Sequence, residues 1–241
     1  MKDELAMTKN VRRFMGAISE LRSRSLGVEG MGILWGEPGE GKTTVVAYAT
    51  NQVNGVFIRM NASQTMTSLL AMLTLELGGS PVARRAPMMA WITRRLMEED
   101  RVIFVDEADY LFNQMEMLDI LRDIYDLTST PVILIGMDQI ARRIQDNGRF
   151  ARRITQWMEF KGIDLDDARM LADTICEVKL ADDLVRHLHR ETKANIGRMV
   201  VGLSRIERLG NASGLDTVTL ADWGARPLYF DQPKFRRPRK E

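Results

Sequence analysis

The chain has one cysteine, two histidines and no apolar run approaching the ~20 residues that span a membrane. A single thiol, Cys176, excludes an internal disulfide and fits a reducing compartment; it is expected as a small buried hydrophobe within a helix. His187 and His189 have no cysteine or paired acids beside them at ligand spacing, so no metal centre is expected there. An excess of one charge sign is missing too: 34 Lys+Arg against 33 Asp+Glu leave +1. Any contact with nucleic acid must therefore come from local basic clusters. Met1-Lys2-Asp3-Glu4 opens charged and does not read as a secretory signal. These absences together lead us to expect a cytoplasmic protein with no membrane partner. In that setting Asn61-Ala62-Ser63 and Asn211-Ala212-Ser213 are coincidental matches to a glycosylation pattern.

At 241 residues and 45% hydrophobic, the chain can bury one large core with room for a small appendage. Leu5, Val11, Phe14, Met15, Ile18 and Leu21 recur among charges, predicting an amphipathic helix over 4–22 within an N-terminal segment, 1–24. Ile33-Leu34-Trp35, Val56 to Met60, Arg101 to Val105 and Pro131 to Ile135 read as strands, several of them apolar on both faces. Helices are expected at 42–52, 65–77, 87–98 and 114–127. Doubly apolar strands alternating with helices predict an α/β domain over 25–161, a parallel sheet between two helical layers. After Gly162 the strand signals stop, and periodicities at 164–178, 181–191 and 195–209 predict an all-helical domain over 162–225. Residues 226–241 are basic and Pro-interrupted, with Lys234, Arg236, Arg237, Arg239 and Lys240, and are expected as a flexible tail. Of the sixteen methionines, Met66, Met72, Met88, Met89, Met97, Met115 and Met117 fall in the predicted helices and are expected as core filler.

Between the first strand and the helix that follows lies Gly36-Glu37-Pro38-Gly39-Glu40-Gly41-Lys42-Thr43, continued by Thr44. A phosphate-binding loop needs little side-chain bulk, because backbone N–H groups converge on anionic oxygens, and it needs a helix N-terminus facing them. Gly36, Gly39 and Gly41 meet the first need, and the helix from Lys42 meets the second. Lys42 is expected on the outer phosphates of ATP, and Thr43 on Mg²⁺. Asp106 and Glu107 cap the strand at 101–105, at the ligand-binding edge of such a sheet. Asp106 is expected to share the Mg²⁺, and Glu107 to orient or deprotonate the attacking water.

With these motifs the sequence resembles the AAA+ ATPases over about 25–210. More narrowly it resembles their transposition-regulator branch, through Phe104 to Leu111, Val132 to Ile140, Gly148-Arg149-Phe150-Ala151-Arg152-Arg153 and Asn195-Ile196-Gly197-Arg198. The resemblance implies a P-loop core followed by a helical lid. It also implies an arginine finger inserted into a neighbouring subunit's site, drawn from Arg149, Arg152 or Arg153, with Arg149 first. Arg198 matches a lid arginine that senses bound phosphate. The polar sensor usual at the end of the 132–135 strand is replaced by Gly136-Met137; either Asp138 serves or the contact is missing.

The branch further implies a homo-oligomer, a helical filament on duplex DNA, that presents DNA to a transposase. Arg84 and Arg85, in a loop between helices, are the expected DNA contacts. No groove-reading motif precedes the core, so binding should follow the backbone and be salt-sensitive. A helicase loader built on the same core is the alternative. A small-molecule P-loop kinase fits less well with the Asp106-Glu107 pair.

Overall fold

The computed structural model describes residues 1–229. They form two compact units: Lys9–Lys161, and Met1–Thr8 together with the residues from Gly162 onward.

The larger unit opens with α1 (Lys9–Arg22), whose Val11, Phe14, Ile18 and Leu21 are buried on one face. The predicted start at residue 4 is corrected: Lys2 donates its N–H to Ile175 O, and Ala6 is buried in the core of the other unit. Those contacts hold Met1–Thr8 out of the helix. Five strands follow in the order β2-β3-β4-β1-β5, all parallel. They are β1 (Met31–Gly36), β2 (Val56–Arg59), β3 (Ile103–Asp106), β4 (Val132–Gly136) and β5 (Ile154–Phe160). β3 and β4 are buried along their whole length, as strands covered on both faces must be.

β5 was not expected from the sequence. Its Thr155, Gln156 and Glu159 are exposed or half-buried, so it reads as neither a doubly apolar run nor a clean alternation. The connecting helices are α2 (Lys42–Gln52), α3 (Met66–Glu76), α4 (Arg85–Glu98), α5 (Met115–Thr128), α6 (Asp138–Asp146) and α7 (Gly148–Ala151). α4 starts two residues before the expected position, which moves Arg85 out of the loop and into its first turn. Phe14 is fully buried, its ring 6.3 Å from Phe104 and 6.2 Å from Phe160, and so fastens α1 to the sheet.

The smaller unit is built on α8 (Leu165–Ile175), α9 (Asp182–Glu191), α10 (Ile196–Ser213) and α11 (Leu220–Trp223). Asp164, Asn195 and Thr219 cap α8, α10 and α11 through backbone N–H groups, and Gly214 ends α10 at φ 63. The expectation of an all-helical unit needs one amendment. Two-residue strands β6 (Lys179–Leu180) and β7 (Thr217–Val218) pair in parallel, with Leu180 and Val218 buried in the unit's core. The expected tail boundary shifts as well: Arg226 donates to Asp222 O and Trp223 O, and Leu228 is buried in that core. Lys234, Arg236, Arg237, Arg239 and Lys240 lie outside the described residues. Cys176 is buried just past the end of α8, and its thiol is pushed up to about 12 by desolvation.

Candidate nucleotide site

All five strands run in parallel, so their C-terminal tips share one edge, and the chemistry-bearing residues collect there. β1 ends at Gly36, where a Cβ would lie closer than 3.0 Å to Phe160 O. Only glycine fits at that crossing. Residues 37–41 then loop into α2, with Gly41 as N-cap at φ 80, a left-handed conformation that costs glycine little. Lys42 folds back over the loop, its Nζ donating to Gly36 O (2.6 Å) and Glu37 O (2.9 Å). Burial lowers its pKa, against the pull of Asp138, Glu40, Asp106 and Asp109.

β3 delivers the acids. Asp106 is buried and accepts a hydrogen bond from Thr43 Oγ1 (3.1 Å) through one oxygen and from Glu107 N (3.0 Å) through the other. Glu107 sits at φ 53, the left-handed region that a side-chained residue enters rarely and at a cost of about 1–3 kcal/mol. That turn swings its carboxylate toward Arg59 at the tip of β2, where Nη2 donates to Oε1 (3.0 Å). Arg59 Nε also lies 3.9 Å from Asp106 Oδ2. The sequence reading did not single out Arg59. Its signal is the register of two parallel strands, in which Arg59 stands opposite Asp106.

A cleft of about 320 Å³ runs along the loop and is lined by Lys42, Thr43, Asp106, Glu107 and Met137. A second, of about 450 Å³, borders Glu37, Glu107, Asp109, Tyr110, Met137 and Asp138. Met137, where a polar sensor was looked for, is exposed, but its N–H donates to Asp109 Oδ2 (2.8 Å). Asp109 thus supplies a carboxylate at the tip of β4. Desolvation raises its pKa, countered by the hydrogen bonds it accepts. Asp138 opens α6 and is exposed; its field reaches Lys42.

An AAA domain is matched over residues 25–144. The ORC2 protein of Aeropyrum pernix, solved as ADPNP-ADP complexes, superposes with a TM-score of 0.69. It is 14% identical, over 92% of this chain and 68% of that one, a likeness of fold. The chain belongs to the AAA+ ATPases. Within the family it is 28% identical over 165 residues to the ATP-dependent target DNA activator B of Escherichia phages D108 and Mu. Those matches cover 64% of this chain and 52% of each activator, so the chain spans about half the length of these relatives.

Arg149, Arg152 and Arg153 are not gathered at this edge. Arg149 and Arg152 are exposed on and just after α7, ahead of β5. Arg153 is buried, held by Asp126 through two hydrogen bonds (2.7 and 2.5 Å), and donates to Arg149 O (2.6 Å). A side chain so engaged is a brace and not a finger, which leaves Arg149 and Arg152. β5 begins opposite Met31 and ends opposite Gly36, so the segment carrying Arg149 and Arg152 and the phosphate loop lie at opposite ends of the same strands. The seven residues of β5 span roughly 20 Å between those ends. Arg198 is in the first turn of α10 in the smaller unit, its guanidinium 5.3 Å from the Tyr229 ring centroid. Arg84 is exposed at the N-cap of α4, and Arg85 donates to Met66 Sδ (3.2 Å). No helix among the described residues is long and apolar enough to cross a membrane.

Proposed function

We propose that the chain is a DNA-associated ATPase that assembles head to tail on duplex DNA and presents that DNA to a transposase. The observation that carries the assembly is the strand register: Arg149 precedes the end of β5 that lies opposite Met31, and the phosphate loop follows the other end, opposite Gly36, a strand length of about 20 Å away. No arginine side chain spans that gap, so a finger at Arg149 can serve only the site of a neighbouring copy.

The loop of 36–44 cradles the phosphates, with Lys42 leaving its two carbonyl acceptors to meet them. Thr43 Oγ1 and Asp106 Oδ2, 3.1 Å apart, make an oxygen pair suited to Mg²⁺, which takes one or two protein ligands and completes its shell with phosphate and water. Bound there, the ion would screen charge on the phosphates. Glu107 takes the proton of the water that attacks the γ-phosphorus as the bridge to ADP breaks, releasing phosphate. Arg149 of a second copy stabilises the charge spread over the transferring group. Arg59 holds Glu107 aside until an anionic contact or the neighbour draws it off. Arg198 acts from the smaller unit as a phosphate sensor. Arg84 and Arg85 meet DNA phosphates, giving salt-sensitive, sequence-tolerant binding. The 28% identity to the phage activators supports the transposase as client.

Electron microscopy with duplex DNA, with and without a non-hydrolysable ATP analogue, tests the reading. Nucleotide-dependent assemblies on DNA are expected. Chains that stay monomeric under every condition would overturn it.

A further inference from the structure

At the sheet edge opposite the phosphate loop, the turn between α1 and β1 is fastened more firmly than a surface connection requires. Arg24 donates to Leu21 O (2.6 Å), to Val28 O (3.1 Å) and to Ser129 O, and its guanidinium lies 5.9 Å from the Tyr125 ring centroid. Val28 N returns to Ser25 O (3.1 Å), closing a β-turn whose third residue, Gly27, takes φ 85. What this braced turn presents is Leu26, 106% exposed, with Val28 half exposed beside it. Scattered exposed leucines are ordinary. A leucine at the tip of an immobilised turn, bordering a cleft of about 670 Å³, has the form of an anchor.

The turn is continuous with the segment that carries Arg149. Glu29 O accepts from Thr155 Oγ1 (3.1 Å), Met31 N donates to Arg153 O (3.1 Å), and Asp126, which lines the cleft, holds Arg153. Leucine turn and exposed arginines therefore lie on one hydrogen-bonded surface, apolar at Leu26 and Val28 and basic at Arg149 and Arg152, with Glu29 and Asp126 in the cleft between. The opposite edge of the sheet offers a counterpart: around the second cleft stand the exposed acids Glu37 and Asp138 and the exposed apolar side chains Tyr110 and Met137, with Arg143 as the exposed cation among them. Two complementary surfaces at opposite edges of one sheet make a heterologous contact, each copy offering one edge to the other edge of the next.

We infer that the Leu26 turn is the apolar anchor of this contact, seated on the phosphate-loop edge of a second copy of the chain. The inference rests on the trans action of Arg149 proposed above and adds the side chain that bears the docking. The Leu26 side chain is fully exposed and outside both cores, so replacing it leaves the fold and the nucleotide cleft alone.

The test is sedimentation velocity of the full chain with a non-hydrolysable ATP analogue and duplex DNA, comparing wild type, Leu26→Glu and Leu26→Met. Nucleotide affinity is measured in parallel with a fluorescent ATP analogue. We expect Leu26→Glu to bind nucleotide as wild type does but to need roughly 10–100-fold more protein to assemble, the range set by losing one buried leucine. Leu26→Met should assemble like wild type. If wild type and Leu26→Glu assemble at the same concentration, the turn serves another partner and the inference fails while the trans reading stands. A wild type that never assembles overturns both.

Discussion

The contact between Gly136 and Asp109 offers the sharpest test of the site's internal logic. A Cβ at Gly136 would lie closer than 3.0 Å to Asp109 Oδ2, and 3.0 Å from Ile140 Cδ1. In Gly136→Ala the carboxylate must back away and give up the N–H of Met137, now at 2.8 Å. A hydrogen bond to a charged group is worth about 1.5–3 kcal/mol, and overpacking a filled site costs a similar ~1–3 kcal/mol. Both describe one event, so they do not add, and Gly136→Ala should destabilise by about 1.5–3 kcal/mol. Asp109→Ala loses the same hydrogen bond but also relieves the burial of a carboxylate, so its cost should fall to about 1–2 kcal/mol. In the double variant the new methyl meets only the end of Ile140, which can rotate aside. The double should therefore cost little more than Asp109→Ala alone. Urea unfolding of the four chains closes this double-mutant cycle, and thermal scans should show about 2–4 °C for each kcal/mol in a chain of this size. Single costs that sum to within ~0.5 kcal/mol in the double would refute the claim that Gly136 is glycine to admit Asp109.

Lys42→Ala should abolish nucleotide binding by fluorescence titration, whereas Glu107→Gln should keep it and slow phosphate release by about 100-fold or more. Arg59 is half exposed and its pair with Glu107 correspondingly weak, about 0.2–1 kcal/mol. Arg59→Ala should thus raise basal hydrolysis by no more than ~5-fold, an effect that shrinks in high salt; a fall in rate would show that Arg59 assists instead of restraining. Burial holds Asp109 above the ordinary carboxylate range, so the folded chain keeps that proton to higher pH than the unfolded chain. Its contribution is complete below the unfolded pKa and is lost as pH rises through the raised folded one. Asp109→Asn should flatten this loss, seen as a smaller change in urea midpoint between about pH 4 and pH 7.

Much of the site could be read from spacing, because a phosphate loop must be contiguous: residues 36–43, the helix after them and the acids capping β3 all declare themselves locally. Asp109 and Arg59 did not. Each acquires its meaning from a partner brought close by the sheet, Met137 across β3 and β4, Glu107 across β2 and β3. Arg153 was indistinguishable from Arg149 and Arg152 as a letter in a basic run; only Asp126, 27 positions away, makes it a brace. The central strands were legible because burial on both faces leaves them uniformly apolar. β5, at the sheet's edge with polar residues turned outward, was not. The lead-in to α1 was misread because Leu5 continues the helical period, while the contacts of Lys2 and Ala6 with the other unit decide against it.

The strand order has a consequence for how the chain comes to be folded. Met31 pairs with Val132 on one side and Ile154 on the other, so β1 has no neighbour until about a hundred further residues have been made. At ~5–20 residues per second of synthesis, that is a wait of roughly 5–20 s with an apolar, unpaired segment in hand. Long-range parallel pairing is slow even after the chain is complete, because loop closure must precede any gain from contact. The phosphate loop hangs from this strand, so it is among the last parts to take shape. Nascent chains stalled before residue 132 should not retain ATP, and nucleotide present during refolding should act late, by trapping the finished sheet.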